Sequence, residues 1–303
     1  MRAVVLREPG GPEQLELAEL PDPEPGEGQA LVRVRAAGVN FADVLIRQGR
    51  YPQAPPLPTV LGGEVSGEVD GRRVMTASGS TGYSELTTVD EAWLFPLPES
   101  ASFEEGASFL TTFLTAWIPL RRAQVGPGAA VLVHAAAGGV GSAGVQLAKH
   151  LGATVIATAS SEEKQQVALE LGADEAYGYD EFADRVQADV VLDAVGGEVF
   201  KRSIGVLNPL GTIVGIGFAG GWWDPLDTAL MVGRNLALQG FYLGRLRKLR
   251  PEVVRDATAE LTALWEEGAV KPLVGATFPL ADAPAAHRLI EERRSVGKVV
   301  LVP

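Results

Sequence analysis

The chain has 303 residues, a hydrophobic fraction of 46%, a charged fraction of 21% and a formal net charge of −12. That length is enough for two domains with buried cores. No apolar run reaches the roughly 18 residues of a membrane span, the acidic balance argues against a nucleic-acid surface, and with no cysteine there can be no disulfide, thiolate nucleophile or sulfur-held metal.

The first part of the chain reads as β-rich. Short apolar runs at 3–6, 30–34, 64–69 and 73–76 are punctuated by Gly and Pro, which break regular structure. Two Pro-rich loops, 21–25 and 52–58, lie on either side of a helical candidate at 42–48. Near residue 100 the pattern changes. Ser102 followed by Glu105 has the form of a capping box and predicts a long apolar helix running towards Leu120. From 129 to 240 strands and helices alternate, with strands expected at 130–134, 154–159, 188–193 and 211–215. Such alternation implies βαβ units and a parallel sheet covered on both faces. The basic run from Arg245 to Arg250 reads as decoration of an exposed helix. The tail predicts helices at 251–267 and 284–294 and a closing strand at 298–302. The expected organisation is an α/β dinucleotide-binding domain over 99–267, with 1–98 and 268–303 together forming a second, β-rich domain. The opening residues lack the basic flank, apolar core and cleavage site of an export signal, so a cytoplasmic protein is expected.

The strongest motif joins a buried strand to Ala135, Gly138, Gly139, Val140 and Gly141, then to a helix on which Val140, Gly144, Leu147 and Leu151 share a face. Glycines let the backbone turn sharply and approach a pyrophosphate closely. Free N–H groups and the dipole at the helix start then hold the anion. The strand before, the helix after and the next strand beyond supply the context that a lone glycine pattern lacks.

NAD sites place an acid at the end of the second strand to bond the ribose hydroxyls. Here that strand ends in Thr158, Ala159, Ser160 and Ser161. A small hydroxyl turn leaves room for a 2′-phosphate, and Lys164 follows to meet it. Glu162 and Glu163 come first, but acids in a helix's first turn are favourable on their own account. The expected cofactor is NADPH, held by Gly138, Gly139, Val140, Gly141, Ser160 and Lys164.

Several segments resemble one family in the right order. Ala135–Gly141 resembles the glycine turn of medium-chain dehydrogenases/reductases. Gly38-Val39-Asn40-Phe41-Ala42-Asp43, then Arg47 and Tyr51-Pro52, resembles the substrate segment of the ζ-crystallin-like quinone oxidoreductases. The stretch from Pro58 to Gly67, Leu114-Thr115-Ala116-Trp117 and the closing Gly297–Leu301 also fit. The resemblance implies a doubly wound (Rossmann) domain plus a GroES-like catalytic domain. It implies NADPH-dependent reduction of quinone-like acceptors, with hydride or electrons passing in an interdomain cleft, and a homodimer. The apolar stretch from Leu236 to Phe241 reads as an edge strand that a two-fold partner would cover. Sparse Asn, no Cys and Arg in preference to Lys fit a thermophilic bacterial host.

In zinc-containing relatives, a Cys and a His stand where this chain has Asn40 and Gly63, so no metal is expected. Reduction of a quinone ends in a phenolate-like oxygen, for which a neutral donor suffices. The resemblance places Asn40 there, while Asn is also a good helix N-cap. Tyr51 either stacks on the acceptor or packs on Pro52. Asp43 either supports the site or orients Arg47, and Leu45 stands where a tyrosine is common. For the cofactor the resemblance adds Thr115, Tyr179, Val195, Gly215, Ile216, Gly217, Phe241 and Leu243. Two other readings remain open: an enone or enoyl-thioester reductase on the same fold, and a non-enzymatic NADPH-binding structural or regulatory protein.

Overall fold

The structure, a computed structural model, describes residues 1–78, 81–223 and 225–303. β1 (Arg2–Leu6) pairs antiparallel with β2 (Leu15–Glu19). The spine of the first half is β3 (Gln29–Val39), eleven residues long, which leads directly to α1 (Phe41–Arg47). Then come β4 (Thr59–Val60), β5 (Glu64–Val69), β6 (Arg72–Thr76), β7 (Leu86–Asp90) and β8 (Phe95–Pro96). β5 and β6 join through Asp70-Gly71, with φ at 49° and 77°, the Asp-Gly hairpin turn that matches strand twist. β3 pairs antiparallel with both β5 and β7.

The long helix expected from Ser102 to Leu120 is two helices: α2 (Phe103–Gly106) and α3 (Leu110–Arg122). The capping box is real: Ser102 Oγ accepts the Glu105 N–H at 3.1 Å, and the Glu105 carboxylate accepts the Ser102 N–H at 2.8 Å. The break has a physical cause on β5. Glu64 Oε1 accepts the Thr111 N–H at 2.8 Å, so a carboxylate starts α3 where a continuous helix would have used its own carbonyls.

Strands and helices then alternate strictly: β9 (Ala130–Val133), α4 (Gly139–His150), β10 (Thr154–Thr158), α5 (Glu162–Glu170), β11 (Glu175–Tyr177), α6 (Phe182–Arg185), β12 (Ala188–Asp193), α7 (Gly197–Gly205), β13 (Leu207–Gly215), α8 (Thr228–Arg234) and β14 (Ala237–Gly240). The strands form one parallel sheet in the order β11-β10-β9-β12-β13-β14. The chain winds outward from β9 to β11, then returns to the other side of β9 at β12. This doubly wound order puts its switch point between β9 and β12, where such sheets bind ligands beyond the strand carboxyl ends. α9 (Leu243–Leu249) carries most of the basic run, and α10 (Pro251–Glu266) follows.

The tail forms β15 (Val274–Pro279), α11 (Ala283–Glu291) and β16 (Lys298–Val302). β16 pairs antiparallel with β3, Val299 opposite Val39, and parallel with β15. Two compact units result, Met1–Thr111 with Pro272–Pro303, and Thr112–Lys271. The first packs around Val4, Leu6, Val34, Val65, Tyr83 and Leu301. A core of the second gathers Leu132, Phe182, Val191, Phe200 and Ile213. His134, just after β9, is buried beside that core. Its Nδ1 lies 2.7 Å from Thr158 Oγ1 and its Nε2 2.7 Å from Ser203 Oγ. Burial pushes its pKa down to about 3, so it is a neutral tie between β9, β10 and α7.

Candidate functional site

In the second unit, residues singled out in the sequence gather at the carboxyl ends of the parallel strands. Gly138 is the N-cap of the 12-residue α4. The first helical bond runs from Ser142 N–H to Gly138 O at 2.8 Å. The N–H groups of Gly139, Val140 and Gly141 therefore face out of the helix start, the arrangement that binds a phosphate. A Cβ on Gly141 would lie 2.1 Å from Ala135 O, and one on Gly144 2.6 Å from Leu192 Cδ2. A Cβ on Gly138 would meet only Ala135 O, at 3.2 Å. Gly141 and Gly144 thus serve close packing of helix against loop and sheet, while Gly138 keeps the mouth of the loop open. These residues fit a dinucleotide pyrophosphate.

Beyond β10, Ser160 is exposed and Lys164 half-buried in the first turn of α5. The N-cap Ser161 Oγ accepts the Lys164 N–H at 3.3 Å. Partial burial holds the Lys164 ammonium below the ordinary lysine range. Glu162 and Glu163 are exposed first-turn acids, as read from the sequence. Beyond β11, the Tyr179 hydroxyl oxygen accepts the Ala135 N–H at 3.1 Å. Beyond β12, Asp193 Oδ1 accepts the N–H of Val195 at 2.8 Å and of Gly196 at 3.1 Å. Burial nevertheless raises the Asp193 pKa to about 6. Ile216 N–H bonds Asp193 O at 2.9 Å, and Phe241 N–H bonds Gly215 O at 3.0 Å. Val195, Gly215, Ile216, Gly217 and Phe241 thereby form a connected rim, and Leu243 opens α9 beside it. Thr115 sits half-buried in the middle of α3.

The first unit holds a polar cluster where three neighbouring strands, β16-β3-β5, each end or begin. Asn40 follows β3 and is the N-cap of α1. Its N–H donates to Asp43 Oδ2 at 2.8 Å, the return half of a capping box. Lys298 Nζ, from β16, donates to Asn40 Oδ1 and to Glu64 Oε2, both at 2.6 Å. Asn40 Nδ2 lies 3.4 Å from Glu64 Oε2. Glu64 and Lys298 are 0% and 4% exposed, whereas Asn40 is only half-buried. A Cβ on Gly38 would lie 2.9 Å from Lys298 Cε and 2.0 Å from Ala107 O, so glycine at that point of β3 makes the cluster possible.

Asp43 is fully buried. Burial raises its pKa to about 6, against the pull of the Asn40 N–H, Lys298, Tyr83 and the Gly62 N–H. Tyr83 OH donates to Asp43 Oδ2 at 3.2 Å and lies 3.1 Å from His287 Nε2. Burial pushes Tyr83 well above its ordinary value and His287 down to about 3. Asp43 does not orient Arg47, the alternative raised by the sequence. Arg47, itself buried, holds Gly10 O at 2.6 Å and Glu291 Oε2 at 2.7 Å. Tyr51 lies half-buried in the loop after α1, its carbonyl accepting the Ala54 N–H at 3.2 Å. Leu45 is buried. Glu64, Lys298, Tyr83 and His287 were not read from the sequence as site residues. The available signal was a carboxylate opening the apolar strand 64–69 and a lysine opening the apolar strand 298–302: both must be buried, and buried charges need partners.

Comparison with known proteins agrees with this architecture. The family described as "Alcohol dehydrogenase GroES-like domain" matches residues 26–99, and that described as "Zinc-binding dehydrogenase" matches 171–301. A "Quinone oxidoreductase" of Pseudomonas aeruginosa is 36% identical, over 97% of this chain and 97% of its own. The human "Synaptic vesicle membrane protein VAT-1 homolog" is 35% identical, over 100% of this chain and 86% of its own. The crystal structure of the quinone oxidoreductase from Thermus thermophilus, solved also in complex with NADPH, superposes with a TM-score of 0.94 at 42% identity over 100% of both chains. The chain belongs to the medium-chain dehydrogenase/reductase superfamily of oxidoreductases, with its GroES-like and Rossmann-type domains. Its place within the superfamily is among the quinone oxidoreductase-like proteins.

The zinc in one family description does not suit the residues present. Asn40 and Gly63, which the resemblance to zinc-containing relatives sets at the ligand positions, are an amide whose carbonyl oxygen accepts from a lysine ammonium 2.6 Å away and a residue with no side chain. Neither residue offers zinc a thiolate or an imidazole.

Proposed function

We propose that the chain binds NADPH and reduces quinone-like acceptors without zinc. The observation that carries the cofactor assignment is the end of β10: the turn after Thr158 has no acid, and Lys164 follows in the first turn of α5. The Pseudomonas and Thermus relatives, by their names, support the acceptor. When bound, NADPH supplies a hydride that, with one proton from water, converts a quinone to a hydroquinone.

The protein's part is binding and charge placement. α4 receives the pyrophosphate, Ser160, Lys164 and Tyr179 receive the adenosine end, and Thr115, Val195, Gly215–Gly217, Phe241 and Leu243 line the nicotinamide end. Asn40 donates from its amide to the acceptor oxygen as negative charge develops there. Tyr51 offers a ring to a planar acceptor, and Asp43 fixes the Asn40 backbone. A hydroquinone oxygen is a far weaker base than an alkoxide, so a neutral donor is matched to it. Steady-state NADPH oxidation with a quinone, with an α,β-unsaturated ketone and with no acceptor tests the reading. Turnover with the quinone is expected. Turnover with the enone alone, or with neither, overturns it, and stoichiometric zinc with chelator-sensitive turnover overturns the metal-free part.

The same reading includes a homodimer in a cytoplasmic, thermophilic bacterial setting. Its support is the sheet edge: β14 ends the sheet with Leu238 48% exposed, and α8, which precedes it in the chain, exposes Leu230 and Val232 at 40% and 78%. Light scattering is expected to give twice the chain mass, and Leu238→Lys to shift it towards the monomer.

A further inference from the structure

We propose that Lys298 and Glu64 act as positioning residues that lock the Asn40 amide in one orientation and strengthen it as a donor to the acceptor oxygen; this rests on the reading of Asn40 given above. The amide's two ends are settled by chemistry. An ammonium can only donate, so the Asn40 atom 2.6 Å from Lys298 Nζ is its carbonyl oxygen. The NH₂ group therefore points the other way. One of its hydrogens has Glu64 Oε2 within 3.4 Å; the second remains for a ligand.

The lock is rigid. Glu64 is held through both oxygens, Oε2 by Lys298 at 2.6 Å and Oε1 by the Thr111 N–H at 2.8 Å. Lys298 comes from the strand that pairs with β3 on one side, and Glu64 from the strand on the other, opposite Gly38. Two ladders thus fix the positions of both groups relative to Asn40. Glu64 and Lys298 are buried while Asn40 is half-buried, so the amide is the accessible edge of the cluster.

The cation does more than orient. A positive charge on an amide oxygen favours the charge-separated resonance form, C–O⁻ with C=N⁺, and makes the N–H groups more positive. Hydrogen bonds in such a chain reinforce one another. Lys298 thereby reaches the acceptor oxygen through Asn40 without entering the site as a full charge, because Glu64 balances it. A neutral cluster with one polarised N–H suits a hydroquinone-like oxygen and would not hold an alkoxide.

The test is a mutant cycle read by kcat with a quinone at saturating NADPH, alongside KM, the NADPH dissociation constant and melting. Asn40→Ala is expected to lower kcat on the order of a hundredfold, as loss of an oxyanion donor does. Lys298→Met is expected to lower kcat about tenfold, with NADPH affinity unchanged, and Lys298→Arg to recover most of it. In the Asn40→Ala background, Lys298→Met is expected to cost nothing further, which a merely structural lysine would not produce. Should Lys298→Met fail to fold, Glu64→Gln with Lys298→Met removes the pair together, and the same non-additivity with Asn40→Ala is required. Full additivity, or an unchanged kcat in the lysine variant beside a loss in Asn40→Ala, overturns the positioning role and leaves Asn40 standing. An unchanged kcat in Asn40→Ala overturns both.

Discussion

The hydroxyl oxygen of Tyr179 accepts the backbone N–H of Ala135 at 3.1 Å, and Ala135 lies in the left-handed region with φ at 51°. A side chain beyond β11 thus holds the first turn of the glycine loop beyond β9. Tyr179→Phe leaves that N–H without this acceptor, a loss of about 0.5–1.5 kcal/mol. NADPH and NADH are both expected to bind roughly two- to tenfold more weakly, because on the proposed reading the loop serves the pyrophosphate common to both. Fluorescence titration with each cofactor measures it, and unchanged affinities would show that the loop holds itself.

On the proposed reading, Lys164 separates the two cofactors. A charge-assisted contact with a 2′-phosphate is worth about 1.5–3 kcal/mol. Lys164→Ala is expected to weaken NADPH roughly ten- to hundredfold and NADH little, with added salt reproducing part of the loss. Equal losses for both cofactors would mean that Lys164 only supports α5.

Two glycines give opposite signs. A methyl at Gly141 meets the Ala135 carbonyl at 2.1 Å, backbone against backbone. Gly141→Ala is expected to destabilise by about 1–3 kcal/mol and to lose NADPH binding. At Gly205, the exposed last residue of α7, a methyl meets nothing within 4 Å. Gly205→Ala is expected to stabilise by about 0.5–1 kcal/mol through helix propensity. Urea unfolding of the two variants beside wild type decides both, and a stable, cofactor-binding Gly141→Ala contradicts the close-packing account.

Four buried groups make opposing contributions to the pH dependence of stability. His134 and His287 have pKa values near 3 when folded, against 6.5 ordinarily. Between those values the unfolded chain takes up protons that the folded chain refuses, so stability is lost as pH falls through the window. Asp43 and Asp193 are raised from 3.8 to about 6. There the folded state binds more protons, so lowering pH from 6 to 3.8 restores stability. The two pairs oppose each other in that interval, and below 3.8 the histidines act unopposed, joined by Glu85, Asp174 and Glu252, whose hydrogen bonds hold their carboxyl pKa values low. A shallow decline in melting temperature from pH 6 to 3.8 and a steep one beneath are expected. Asp193→Asn removes one opposing group and is expected to steepen the upper interval; parallel profiles for variant and wild type would contradict this.

Local rules explain what the sequence revealed. The strand at 64–69, the strand at 188–193 and the closing strand at 298–302 are read correctly because apolar runs between turn residues leave few alternatives. The glycine turn is legible because its strand, turn and helix are consecutive in the chain. β2 and β11 escape because their residues are mostly exposed or half-buried and carry little periodic signal. The split between α2 and α3 escapes because its cause, Glu64, lies 47 residues away from Thr111. The cluster at Asn40 is half visible for the same reason. Asn40 and Asp43 are neighbours in sequence, but Lys298 comes from the far end, and no spacing rule connects strands that only the sheet brings together.

Asn40 and Lys298 are 258 residues apart, and the contiguous unit Thr112–Lys271 lies between them in the chain. On the ribosome that unit is made whole before β15 and β16 emerge, and contiguous domains fold as they are completed. The segments made first must wait: β3 keeps an open edge until β16 arrives to pair with it. A nascent chain can therefore present a finished nucleotide fold before the Asn40 cluster exists. Synthesis itself orders maturation, with the parallel-sheet unit assembled early and the unit that carries the Asn40 cluster closed last by its own late strand.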